Sequence, residues 1–181
     1  MYRKTMMGSQ SQTRAKLIAY TVCVSLLLLL LAVLQVTVFA KISVFGATPD
    51  LMLCAVLGVS FFLGRYAGAI TGIGAGFLIE AMGSTGISLL PLFYLLLGYL
   101  AGHYARVIVP KRLTAYLIYL LPALLLRAGI TLTYICLSYE SFNVIRILLS
   151  TLLPEAAETA LFGAILYFPI RLLCERLMRK K

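Results

Sequence analysis

His103 is the only histidine in the chain, and it sits near one end of a long apolar run. A lone histidine in such a place is commonly a solvated interfacial residue. No serine combines with it in a serine–histidine constellation. Glu155 and Glu158 stand three residues apart, which on a helix puts two carboxylates on neighbouring turns of one face. They lack the convergent ligands that a metal site needs. Cys23, Cys54, Cys136 and Cys174 are scattered, without a CxxC or a His/Cys cluster, and read as small apolar residues rather than as a disulfide framework. No phosphate-cradling GxxxxGK[ST] run is present. The chain therefore reads as non-enzymatic, with no cofactor and no metal.

Two charges lie where charge is expensive. Arg127 falls near the middle of an apolar stretch. Arginine keeps its proton, so it must pair, snorkel or line a wet cavity. Glu80, Glu155 and Glu158 are its candidate partners. Glu80 itself ends an apolar run, where a buried carboxylate costs about 2.5–3.5 kcal/mol on insertion scales. It must face a helix bundle, take a proton, meet a cation or reach the headgroups.

These residues are positioned by a chain built for lipid. Of its 181 residues 62% are hydrophobic and 12% charged, and mean hydropathy is +1.00. Soluble domains carry about twice that charged fraction. At roughly 20 residues per crossing, the apolar runs make six spans, at about 17–40, 50–64, 67–82, 87–109, 113–137 and 154–173. Residues 1–16 form a cytoplasmic tail and 174–181 a basic one. The expected fold is a single all-α, polytopic, six-helix membrane domain. No connection is long enough for a soluble nucleotide-binding or catalytic domain of roughly 50 residues. The first apolar run exceeds the 7–15 residues of a signal peptide, so it is expected to be a retained span. The second is short for a bilayer and is expected to be tilted or recessed.

The net charge of +10 is distributed by side. Under this topology Arg3, Lys4, Arg14, Lys16, Arg65, Arg106, Lys111, Arg112, Arg171, Arg176, Arg179, Lys180 and Lys181 share one side, against Lys41 and Arg146 on the other. That is the positive-inside bias, which puts both termini in the cytoplasm. The cations then face anionic lipids, and no nucleic acid is required. Tyr66, Tyr104, Tyr139 and Tyr167 fall near predicted interfaces, where they either anchor the spans or fill space between helices.

Gly68, Gly72 and Gly76 recur every four residues in the third span, with Gly98 and Gly102 in the fourth. Helices in lipid associate through close backbone contact, which glycine permits. The notches serve packing within the bundle or against another protein. Read as a partner-docking groove, they predict that Gly72→Leu weakens partner recovery without preventing insertion.

Three segments, "TPDLML" (Thr48–Leu53), "GAITGIGAGFLIE" (Gly68–Glu80) and "LFYLLLGYLAGHYAR" (Leu92–Arg106), resemble in order and spacing the MreD family of rod shape-determining proteins. Pro49 and Asp50 match the family's Pro-Asp at the start of span 2, and Gly68, Gly72 and Gly76 match its glycine stripe. Glu80 stands where the family usually has aspartate. Beyond Arg106 the likeness is one of hydropathy, length and basic tail. The resemblance implies a multi-pass inner-membrane subunit of the bacterial cell-elongation machinery. Such a subunit would dock a single-span MreC-like protein and help link MreB filaments to peptidoglycan synthesis. The synthases implied are a RodA-like polymerase and its penicillin-binding transpeptidase. The fold also looks like the six-helix substrate-binding subunits of energy-coupling-factor transporters. The alternative function is therefore a membrane subunit that binds a vitamin-like solute, with Glu80, Ser84, Thr85, Asn143, Glu155 and Glu158 as its candidate lining.

Overall fold

The computed structural model describes residues 18–19, 21–39, 41, 48–82, 89–108, 112–138 and 152–178. They are helical almost throughout, with no strand among them. The first helix, α1, is Thr21–Phe39, and its last turn, Leu34–Phe39, widens to a π-helix. Then follow α2 (Leu51–Leu63), α3 (Arg65–Ala81), α4 (Leu90–Ile108), α5 (Leu113–Ser138) and α6 (Leu153–Met178).

The shortest of these occupies the centre. Helix α2 has 13 residues, about 20 Å at 1.5 Å per residue, less than the roughly 30 Å of a bilayer core. Its sequence is apolar on every side, the pattern of a helix enclosed by others. Every residue from Leu51 to Phe62 is buried. Helices α3, α4 and α6 pack around it, with α5 touching it more lightly. The expected recession of this span is visible at its first residue, where Asp50 is 2% exposed.

Gly64 alone separates α2 from α3. Its φ of 90° is a left-handed conformation that glycine adopts without Cβ strain. Its N–H closes α2 on the Ser60 carbonyl at 2.8 Å, and its own carbonyl accepts from Gly68 N–H at 3.0 Å. The connection expected at residues 65–66, between the spans at 50–64 and 67–82, is thus Gly64 alone. Helix α6 runs past the expected end at 173, and Arg171 donates to Glu175 at 2.7 Å across one turn of the extension. The start expected for span 4 at residue 87 lies outside the described residues.

Large apolar side chains cover the outside. Leu125 is 71% exposed and Phe77 61%. Apolar surface on this scale belongs against lipid or protein. Among the described residues three helices are long and apolar enough to cross a membrane, over Thr21–Phe39, Leu113–Thr133 and Leu153–Arg176; Leu51–Leu63 and Leu90–Ala105 are shorter apolar helices.

Aromatic residues fill the core beside α2. Tyr167 is fully buried, with its ring 5.4 Å from Tyr116 and 5.5 Å from Phe62, so it fills space and does not anchor an interface. Tyr66 and Tyr104 are exposed, and Tyr139 lies outside the described residues.

Candidate functional site: a buried ionic node

A helix start leaves backbone N–H groups without intrahelical acceptors. Because α2 begins inside the bundle, protein groups must supply what water cannot. Asp50 does so as the N-cap, its Oδ1 accepting from Leu53 N–H at 2.9 Å. Gln35, carried on the π-turn of α1, accepts from Met52 N–H through Oε1 at 3.2 Å. The Asp50 N–H donates to Thr159 Oγ1 on α6 at 3.0 Å, and that hydroxyl donates onward to the Glu155 carbonyl at 2.6 Å. Pro49, just before the cap, is buried as well.

The second carboxylate oxygen reaches two more helices. Asp50 Oδ2 accepts from the Tyr94 hydroxyl of α4 at 2.6 Å and lies 3.3 Å from Arg127 Nε of α5. One carboxylate thus ties together α2, α4 and α5, while its backbone holds α6. Asp50 and Arg127 side chains are 3% and 12% exposed. Each is tolerable there because of the other, since an isolated buried charge is far costlier than a paired one. The pairing is ionic rather than fully hydrogen-bonded: Arg127 Nε and Nη1 are buried without a hydrogen-bond acceptor. Glu155 stands within electrostatic reach of Arg127, and Glu158 Oε1 is buried without a donor.

Arg127 therefore has a carboxylate partner, and it is Asp50. Neither Glu80, Glu155 nor Glu158 forms an ion pair with it among the described residues. Nothing about Asp50 marks it as deep: in sequence it opens a span, the usual place of an interfacial residue. The signal that points to it is the shortness of α2, which forces one or both of its ends below the surface.

The glycine stripe serves this node from behind. A Cβ on Gly68 would collide with the Gly98 carbonyl, one on Gly72 with the Tyr94 carbonyl, and one on Gly76 with Pro91. Gly98 faces Gly68 in return, and Gly102 packs on the backbone of Gly64 and Arg65. Helices α3 and α4 thus touch backbone to backbone, the most extensive contact in the bundle. The stripe is not an open groove for a partner helix, because α4 fills it. Consecutive helices joined by a short connection meet first, so the small-residue faces of α3 and α4 are consumed on each other. The close approach at Gly72 also sets the depth of Tyr94, whose hydroxyl then reaches Asp50.

Other candidates lie apart from the node. Glu80 is partly exposed at the end of α3, and no ion pair forms there among the described residues. His103 is exposed on α4, its ring 5.5 Å from Tyr104. At the same end Arg65 lies 4.8 Å from the Tyr66 ring centre and donates to its hydroxyl at 3.1 Å. Cys54 and Cys174 are buried and Cys23 exposed; the side chain of Cys136 lies outside the described residues, as do Ser84, Thr85 and Asn143. Cys54 Sγ makes a weak 3.4 Å contact to the Thr159 carbonyl, and its own carbonyl accepts from Tyr116 at 3.0 Å. Among the described residues no cluster of three His, Cys, Asp or Glu could hold a metal.

The chemistry available at the node is that of a tie. Asp50 already accepts from two donors beside a guanidinium, which leaves it poorly placed as a base or nucleophile. No protein-family model, curated protein or solved structure matches the chain.

Proposed function

We propose that this protein is a membrane scaffold of the bacterial cell-elongation machinery. In this reading it docks an MreC-like single-span partner and helps link MreB filaments to a RodA-like polymerase and its penicillin-binding transpeptidase. The observation that carries the reading is the use made of the residues behind the family resemblance. Pro49 and Asp50 are buried at the node, and Gly72 meets the backbone of Tyr94, which binds Asp50. These residues hold helices together. The chain then presents outward apolar faces, where a lateral partner would meet it through van der Waals contact and interhelical hydrogen bonds.

The proposed topology has six spans in the inner membrane with both termini cytoplasmic, supported by the one-sided distribution of cations. Helix α2 crosses as a recessed inner span and needs no lipid-facing length of its own. The closing of the glycine stripe by α4 moves the proposed docking surface to the outer faces of the bundle.

Photo-crosslinking in living cells tests the reading. A crosslinker at the exposed positions Leu92, Leu126 or Leu161 should capture the MreC-like protein encoded by the same bacterium, and one at buried Ile79 should not. Absence of that protein from every outward position counts against the scaffold.

A further inference from the structure

Helix α5 is held by one half. Its first half, through Leu124, is anchored: Ala115, Tyr116, Leu120, Ala123 and Leu124 are buried, and Tyr116 donates to the Cys54 carbonyl. From Leu125 to Thr133 every residue is half-buried or exposed, with the Arg127 head group the part of this stretch that is enclosed. The hydroxyls of Thr131 and Thr133 turn back onto carbonyls of their own helix, at Arg127 and Gly129. Among the described residues the Arg127–Asp50 pair is the one ion pair or side-chain hydrogen bond from this half to another helix.

The halves meet at a weak point. Pro122 lies inside α5, where it removes one backbone hydrogen bond and its ring pushes on the preceding turn. An apolar groove of about 530 Å³ separates α5 from α6 on both sides of Pro122, running along α5 from Leu117 to Ala128, with Leu125 and Ala128 of the second half opposite Ala156 and Ala160. A Cβ added at Gly129 would meet nothing within 4 Å. Arg127, with two nitrogens lacking acceptors, is held by charge rather than by aligned hydrogen bonds.

We propose that α5 is a hinged helix: the segment beyond Leu124 pivots, on the hinge that Pro122 weakens, into the groove beside α6, with the Arg127–Asp50 pair as its latch. The first half of α5 stays fixed on α2. The movement brings apolar surface of α5 and α6 together and frees the guanidinium from its incomplete site. A pivot of ~20° acting over ~16 Å of helix displaces its far end by ~6 Å. The proposal rests on helix packing alone and is independent of the scaffold reading.

Distance measurements between spin labels on the full chain test it, in nanodiscs of phosphatidylethanolamine and phosphatidylglycerol. Cys23 and Cys136 are first replaced by serine. Labels at Thr133 and Leu92 report the far half of α5 against α4, and labels at Ile118 and Tyr104 report the near half. Arg127→Gln should displace the outer pair by ~6 Å and leave the inner pair unchanged. An unchanged outer distance, or equal displacement of both pairs, overturns the hinge. Should Arg127→Gln fail to give a monodisperse protein, the unsubstituted latch decides. A second outer-pair population that disappears in Pro122→Ala upholds the proposal. A single narrow population, or a second one that persists in Pro122→Ala, overturns it.

Discussion

Removing the Asp50 carboxylate strands several groups at once: the Arg127 guanidinium, the Tyr94 hydroxyl and the Leu53 N–H. Breaking a buried pair by deleting one partner typically costs about 3–5 kcal/mol, because the other charge stays buried. Asp50→Ala should therefore lower stability by about that amount, followed as loss of helical circular dichroism in a denaturant titration in mild detergent. Adding Arg127→Met removes the stranded charge and should recover much of the loss. Tyr94→Phe, which deletes one hydrogen bond to a charged group, should cost about 1.5–3 kcal/mol. A double variant less stable than Asp50→Ala alone would show that the pair is not the unit described here. Asp50 was legible in the sequence as part of a Pro-Asp pair opening a span too short for a bilayer, but its pairing with Arg127 was not. That pairing depends on how α5 lies across the start of α2, which no local spacing encodes.

Glycines of one type have opposite consequences on different helices. Gly72 lies against the backbone of α4, whereas Gly129 faces open space. Gly72→Leu must push α4 away, and with it Tyr94 from Asp50. Overpacking of this kind costs typically 1–3 kcal/mol, with the lost hydrogen bond in addition. Gly129→Ala should be neutral or stabilising by up to about 1 kcal/mol, through helix propensity. Thermal unfolding of the two purified variants, followed by circular dichroism, separates them; equal effects would contradict the packing. The expectation that Gly72→Leu weakens partner recovery without preventing insertion gives way to one of direct damage to the bundle, since the added side chain meets the Tyr94 backbone. The helices were largely legible because apolar runs here end at glycine, proline or charge. Arg65 departs from this because Gly64 alone makes the turn, and the C-terminal end of α6 because the helix continues through Glu175 and Arg176 to Met178. The small-residue stripe was legible as a contact surface; its occupant was not, since a GxxxG spacing specifies close approach and no particular neighbour.

At the level of the whole molecule, the division between inside and outside carries the reading. Polar chemistry converges on Asp50, apolar residues cover the exterior, and cations crowd one side of the proposed membrane topology. Reporter fusions should place both the start and the end of the chain in the cytoplasm; a periplasmic end would remove the six-span arrangement. The proposed scaffold would act by being present and folded, so its loss should disturb cell geometry rather than the uptake of a solute. The most direct measurement of the proposed role is depletion of the protein in the cells that encode it, with cell width and length followed by microscopy. The account predicts progressive widening and loss of cylindrical form, restored by the unaltered gene and restored poorly by Asp50→Ala. Cells that keep their width and shape throughout depletion would contradict it.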